Sequence, residues 1–405
     1  MPWFLCLASL LWGAALADEP SEEEEPPDAA LEEALAADRA AREERPTAPA
    51  PRAPTGVQGM NPDISLIGDV AFAWFSAEPD QRGGHDPNRN GFVLQQLELA
   101  VSSAVDPYFR FDAYVVFSEF GVEIEEVYAT TLALPLRSQI RVGQFLTRFG
   151  RFNPTHLHDW AFVDQPLPIG RIFGGEGNRG LGVEGSVLLP LPWFAEVLVS
   201  ETMAHGASTA RSFYGGTDLG VDTPLDLQTT AALKQFFPFG TDLSLMWGLS
   251  WAGGPNPTGR ANRTDVFGTD LYLRYRPVRG PTHTAVTLHS EWFHRRRQVP
   301  GDVLLDLNGF TQATWRFAPR WSVGARHELG TAPRDLAGDR VLDPLDPEWT
   351  DTRHRLSSAL TYWPTEFSRI RLQGARDLAP WKEEPAWAAF LAFEFAVGAH
   401  GAHPF

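Results

Sequence analysis

Leu243-Ser244-Leu245-Met246-Trp247-Gly248-Leu249-Ser250-Trp251 is the stretch that decides the fold. Leu243, Leu245, Trp247, Leu249 and Trp251 alternate with Ser244, Met246, Gly248 and Ser250, so an extended strand carries one greasy face and one small or polar face. Just before it, Pro238-Phe239-Gly240 holds a proline, which cannot donate a ladder hydrogen bond and marks a strand end. Just after it, the Gly/Pro/Asn-rich run from Ala252 to Arg263 reads as a longer loop.

The same unit recurs on both sides. Phe109, Phe111, Ala113, Val115 and Phe117 alternate with Arg110, Asp112, Tyr114, Val116 and Ser118. Leu271, Leu273 and Tyr275 oppose Asp270, Tyr272, Arg274 and Arg276, and Val286, Leu288 and Trp292 oppose Thr287, His289 and Glu291. Short proline turns fall at Asp106-Pro107, Leu134-Pro135, Pro190-Leu191-Pro192, Pro277 to Pro281, Ala318-Pro319 and Trp363-Pro364-Thr365. Longer connections run from Ala77 to Asn90, Gly150 to Asn178, Met203 to Pro224, Arg295 to Gly301, Thr331 to Thr352 and Leu378 to Pro385. The connection at Phe120-Gly121 is short where a long one is due. Together these join about sixteen strands, an even number, with both chain ends on one side. A soluble sandwich has the same two-residue period, but here aromatics crowd the strand ends, as at Trp74-Phe75, Trp193-Phe194, Phe236-Phe237 and Tyr362-Trp363, in the manner of membrane-interface girdles. The expected fold is therefore all-β: a single transmembrane antiparallel β-barrel of about sixteen strands over residues 61–405, with long outside loops and short periplasmic turns.

Composition places the barrel. Met1 to Ala17 has an apolar core from Trp3 to Leu11 and an Ala15-Leu16-Ala17 ending, which suits a signal peptide removed on export. The single cysteine, Cys6, lies within it, so the mature chain has no disulfide or thiol chemistry. Residues 18–60 form an acidic, Pro/Ala-rich periplasmic extension, with Leu31 to Glu44 able to form a short helix. The net charge of −17 argues against nucleic acid, whose phosphates need a cationic surface. The expected location is the outer membrane of a diderm bacterium. Leu391, Phe393, Phe395, Val397 and Ala399 form a lipid-facing series running to Phe405, the terminal strand that barrel assembly machinery reads, so lipid and that machinery are expected partners.

A barrel of this size leaves an aqueous channel, so its expected function is passage of small hydrophilic solutes or ions. The loop 150–178 is the candidate constriction: with its approach it carries Arg148, Arg151, His156, His158, Asp159, Asp164 and Arg171, and charges of both signs set a transverse field. Arg274, Arg316, Arg326, Arg369 and Arg371 are expected to line the lumen, interspersed with Asp270, Glu291, Asp306 and Glu328. No enzyme activity is expected, because His289-Ser290-Glu291 puts base and hydroxyl on opposite faces of a strand.

Arg141-Val142-Gly143-Gln144-Phe145 followed by Arg148-Phe149-Gly150-Arg151, entering a long third loop, resembles the matching part of outer-membrane porins of the phosphate-selective porin O/P type. That resemblance implies Arg141 at the pore wall, possession of an anion path as one alternative, and a homotrimer. The chain end from Gly398 to Phe405 and His156-Leu157-His158-Asp159 are similar to porin-like sequences labelled zinc-regulated TonB-dependent outer-membrane receptors. That label implies a zinc-linked receptor or uptake protein, though its literal sense, a plugged twenty-two-stranded barrel, is one from which this chain departs. No cofactor is expected apart from zinc as a candidate ligand. On an extended strand His156 and His158 project to one side, with Asp159 or Asp164 near, and His400 and His403 converge if Gly401 makes a turn.

Overall fold

The structure, a computed structural model, describes residues 62–398 apart from 120, 207, 218, 219 and 282, and the side chain of residue 260. The expected leader, the acidic extension, His400, His403 and Phe405 lie outside the described residues. Sixteen antiparallel strands close on themselves. They are β1 Asp63–Phe75, β2 Gly91–Ala104, β3 Phe109–Ser118, β4 Gly121–Thr131, β5 Ser138–Leu146, β6 Arg179–Leu188, β7 Phe194–Thr202 and β8 Gln228–Phe239. The second half comprises β9 Leu243–Asn256, β10 Gly259–Tyr275, β11 Ala285–Val299, β12 Asp302–Ala318, β13 Trp321–Gly330, β14 Arg353–Thr365, β15 Ser368–Leu378 and β16 Ala386–Gly398. Each strand pairs with its sequence neighbours, and β1 pairs with β16 from Ser65↔Gly398 to Phe75↔Ala388, so no edge is left open.

Alternation sorts the two faces as the sequence predicts. Trp247, Leu249, Leu271, Leu391, Phe393, Phe395 and Val397 stand exposed on the outer wall, while Ser250, Asp270, His289, Glu291 and Arg326 are buried inside. An apolar outside over a polar inside is the reverse of a soluble protein and the pattern of a lipid-facing barrel. Among the described residues no helix is long and apolar enough to cross a membrane.

Two connections differ from expectation. The loop expected over Ala252–Arg263 is mostly ladder, with Gly254 paired to Thr264 and Pro255 to Arg263. Its glycines let the ring of Phe213 lie against the strand, since a Cβ on Gly254 would stand 2.9 Å from Phe213 Cδ1. The loop expected over Arg295–Gly301 shrinks to Pro300-Gly301, because Arg295 and Arg297 are held inside by Asp306, Asp343 and Ser212 and stay on the strand.

Apolar burial occurs inside the barrel. Phe149, Phe152, Leu157, Trp160, Ile169, Ile172 and Phe173 of the connection 147–178 pack with Phe213 and Tyr214 of the connection 203–227 and with Val266, Phe293 and Phe310 of the wall. Such a greasy segment has nowhere to hide outside the rim, so it folds inward. Its one helix, α1 Leu167–Phe173, is buried throughout and stops at Gly174, whose φ of +100° suits only glycine.

Candidate functional site

The interior is built around the connection 147–178, which visits one wall after another. Gly150 takes φ +59° where a Cβ would lie 2.3 Å from Glu291 Oε2, so only glycine fits this turn against the wall. The Gly150 amide donates to Ser250 Oγ at 3.0 Å, and the amides of Arg151 and Phe152 donate to Glu291 Oε1 at 2.9 and 2.6 Å. The chain then crosses to β2 and β4 at His156. It next reaches β15, where Arg371 donates to the carbonyls of Trp160 and Phe162 at 2.7 Å each and Arg369 to those of His158 and Trp160 at 2.6 and 3.1 Å. At Asp164 it meets Arg326 at 2.5 Å and Arg355 at 2.6 Å. Finally α1 places Arg171 on Asp346 at 2.9 Å and Asn308 at 2.7 Å.

The electrostatics follow from burial. Burial by itself raises the Asp164 carboxyl, but the Arg355 and Arg326 guanidiniums outweigh it and hold Asp164 well below the usual carboxylate range. Burial pulls Arg171 down to about 10 against the pull of Asp306 and Asp346. Burial lowers His156 too, yet Glu98 and Glu125 together carry it well above an ordinary histidine.

The expected wall residues fall into two groups. Arg326, Arg369 and Arg371 face inward but are covered by the loop, whose carbonyls and Asp164 they hold. Towards the end of the barrel carrying the short turns, a hollow of about 350 Å³ is lined by Arg110, Tyr114, Tyr128, Arg141, Arg148 and Glu184 among others. There Arg141 and Arg148 share Glu184 at 3.2 and 2.9 Å, and Arg148 reaches Glu196 at 3.0 Å; Arg151, outside that lining, lies 4.0 Å over the Tyr272 ring. Arg274 lines a separate hollow beside Arg276, and Arg316 donates to the Pro319 carbonyl.

His156 and His158 lie not on a strand but at a 3₁₀ turn over Leu157–Asp159, their rings stacked 5.8 Å apart. Asp164 is committed to arginines, and Asp159 stands 3.9 Å from His158 Nε2. The acidic partners are instead Glu98 of β2 and Glu125 and Glu126 of β4. Their signal was in the sequence: apolar positions 122 and 124 shift phase to 127 and 129, which marks a bulge. His289 and Glu291 both point inward, 2.7 Å apart, whereas Ser290 turns outward to Thr311.

No family model matches the chain. A protein of Aquifex aeolicus (strain VF5), described as an uncharacterized protein, is 32% identical over 395 residues, covering 87% of this chain and 81% of the relative. Among solved structures, the outer membrane channel DcaP of Acinetobacter baumannii aligns with a TM-score of 0.57 at 13% identity, over 84% of this chain and 97% of that one. The anion-selective porin from Comamonas acidovorans gives 0.54 at 11% identity, over 83% and 99%. Pseudomonas putida OprB gives 0.54 at 9% identity, over 84% and 95%. At these identities the likeness is one of fold. The chain belongs to the family of the Aquifex aeolicus protein, on the sixteen-stranded barrel fold of outer-membrane porins.

Proposed function

We propose that this protein is an outer-membrane, porin-like channel for small hydrophilic solutes or ions, with the connection 147–178 as its constriction and no enzymatic role. The observation that carries this reading is that connection itself, folded inside a closed barrel and pinned at successive walls by side chains of both signs. Narrowing a wide barrel by an inward loop leaves a path whose size and charge the loop controls. The arginines around the hollow are matched by Asp112, Glu184 and Glu196, which supports passage of both signs rather than a phosphate-type preference. The same reading assigns residues 1–17 to a removed export signal and 18–60 to a periplasmic extension. Lipid, the barrel assembly machinery and two further copies in a trimer are its expected partners, and one neighbour of this fold, OmpT of Vibrio cholerae, is described in a trimer form.

Reconstituted in liposomes, the protein should admit small sugars in osmotic swelling and conduct in planar bilayers. Deleting Gln165–Gly177, with folding checked by heat-modifiable gel migration, should raise single-channel conductance several-fold. Impermeant vesicles overturn the channel, and unchanged conductance in the folded deletion overturns the constriction.

A further inference from the structure

Strand β4 breaks its alternation after Ile124: Tyr114 pairs with Glu126 and Val115 with Ile124, leaving Glu125 without an opposite residue. This bulge turns two consecutive carboxylates, Glu125 and Glu126, into the interior, where Glu98 of β2 also points. The connection 147–178 inserts His156 among them. Its Nδ1 stands 3.2 Å from Glu98 Oε2 and 3.1 Å from Glu125 Oε2, and its Nε2 stands 2.9 Å from Glu126 Oε2.

The two faces of this imidazole differ in kind. At Nε2 one carboxylate oxygen meets one nitrogen, and the other oxygen of Glu126 accepts the Leu146 amide at 2.6 Å. At Nδ1 two carboxylates converge on a nitrogen that has at most one proton to give. Glu98 is fully buried; its Oε2 faces His156 Nδ1 at 3.2 Å and His158 Nδ1 at 3.6 Å, while its Oε1 has no hydrogen-bond partner. Three buried carboxylates around His156, with His158 farther off, leave an excess of negative charge that a bound cation would offset. The spacing suits one: ligands about 2.0–2.2 Å from a tetrahedral ion stand about 3.3–3.6 Å from each other, close to the separations found here. The three ligand atoms of Glu98, Glu125 and His156 all lie within 4.8 Å of one another. On the far side Glu126 would accept the Nε2 proton, the arrangement in which an outer carboxylate fixes the tautomer of a metal-bound histidine. The Tyr114 ring, stacked 4.4 Å from the imidazole, holds its plane.

We propose that Glu98, Glu125 and His156 Nδ1 bind one divalent transition-metal cation, which clamps the connection 147–178 to β2 and β4, with Glu126 orienting the imidazole. One nitrogen and two carboxylates suit Zn²⁺, and Co²⁺ is its spectroscopic stand-in. The site does not depend on the channel reading, since a clamped loop is as useful to a receptor as to a pore.

The test uses the full chain in detergent, stripped with a chelator and titrated calorimetrically with ZnCl₂. The expected result is one-site binding that is lost in Glu98→Gln and in Glu125→Gln, each checked for heat-modifiable migration, and weakened about 10–100-fold in Glu126→Gln. Unchanged binding in folded Glu98→Gln or Glu125→Gln overturns the site. So does loss of binding on His354→Ala, which would place the ion at the His327–His354 pair, whose ring nitrogens lie 3.1 Å apart on the wall. If the Gln variants fail to fold, the native protein decides: Co²⁺ should give visible d–d absorption that Zn²⁺ displaces, and a colourless mixture overturns the proposal.

Discussion

Arg371 shows how a single side chain works in this interior. Its guanidinium is buried, donates to the Trp160 and Phe162 carbonyls at 2.7 Å each and stands 3.6 Å from Glu394. Replacing Arg371 by Met keeps most of the volume but orphans the buried Phe162 carbonyl, at about 1–3 kcal/mol, while the Trp160 carbonyl keeps its bond from Arg369 at 3.1 Å. The Arg371→Met variant should unfold at lower temperature in detergent and be cut by protease within 147–178 faster than the wild type. An unchanged cleavage rate would mean that the apolar packing alone holds the loop. At this scale the sequence was half legible. The inward face of Arg326, Arg369 and Arg371 follows from alternation, but their covering by a loop does not, because strand periodicity says which face a residue takes and nothing about what fills the space beyond it. His156 stood out as a candidate ligand, whereas Glu98 and Glu125 come from strands distant in sequence and converge on it only through barrel closure and a bulge.

Among the elements, the connections carry the individuality of the molecule. The connection 331–352 docks on α1 through Asp346, which Arg171 meets at 2.9 Å and Arg211 at 3.3 Å. Burial favours the neutral acid, but the two guanidiniums outweigh it and lower the Asp346 carboxyl. A folded value below the unfolded one, about 3.9, means that the contact stabilises above that pH and loses its contribution as pH falls through the folded value. Protease sensitivity of 331–352 should therefore rise below about pH 4. Asp346→Asn should bring the same sensitivity at neutral pH, removing about 1.5–3 kcal/mol by taking away the charged partner of the Arg171 hydrogen bond, while Asp306 still acts on Arg171. Sensitivity independent of pH in the wild type and unaltered in the variant would place the docking elsewhere. Strand ends were read well where proline meets a short turn, as at Asp106-Pro107 and Ala318-Pro319. They were read too early at Ala252 and Arg295, where glycines and arginines look like loop chemistry but are retained on strands by Phe213, Asp306 and Asp343.

For the whole molecule, the wall is an apolar band meant for lipid. Leu391 lies at mid-strand in β16, paired with Phe72 and Leu372 and exposed outward. Leu391→Arg should lower folding stability in bilayers by about 2–4 kcal/mol, read from urea titrations of vesicle-bound protein. A smaller effect in a folded variant would move that position out of the hydrocarbon. Strand number, closure and facing were all legible, because each rests on local alternation repeated along the chain.

The wall is also uneven. Strands β10 and β12 have 17 residues each, whereas β5 and β7 have 9. At about 3.4 Å per residue and a tilt of about 40°, one flank stands roughly 44 Å tall and the other roughly 23 Å, against an apolar band of about 25 Å. Strands β10 and β12 therefore outreach such a band and run on as sheet beyond it, whereas β5 and β7 end within its height.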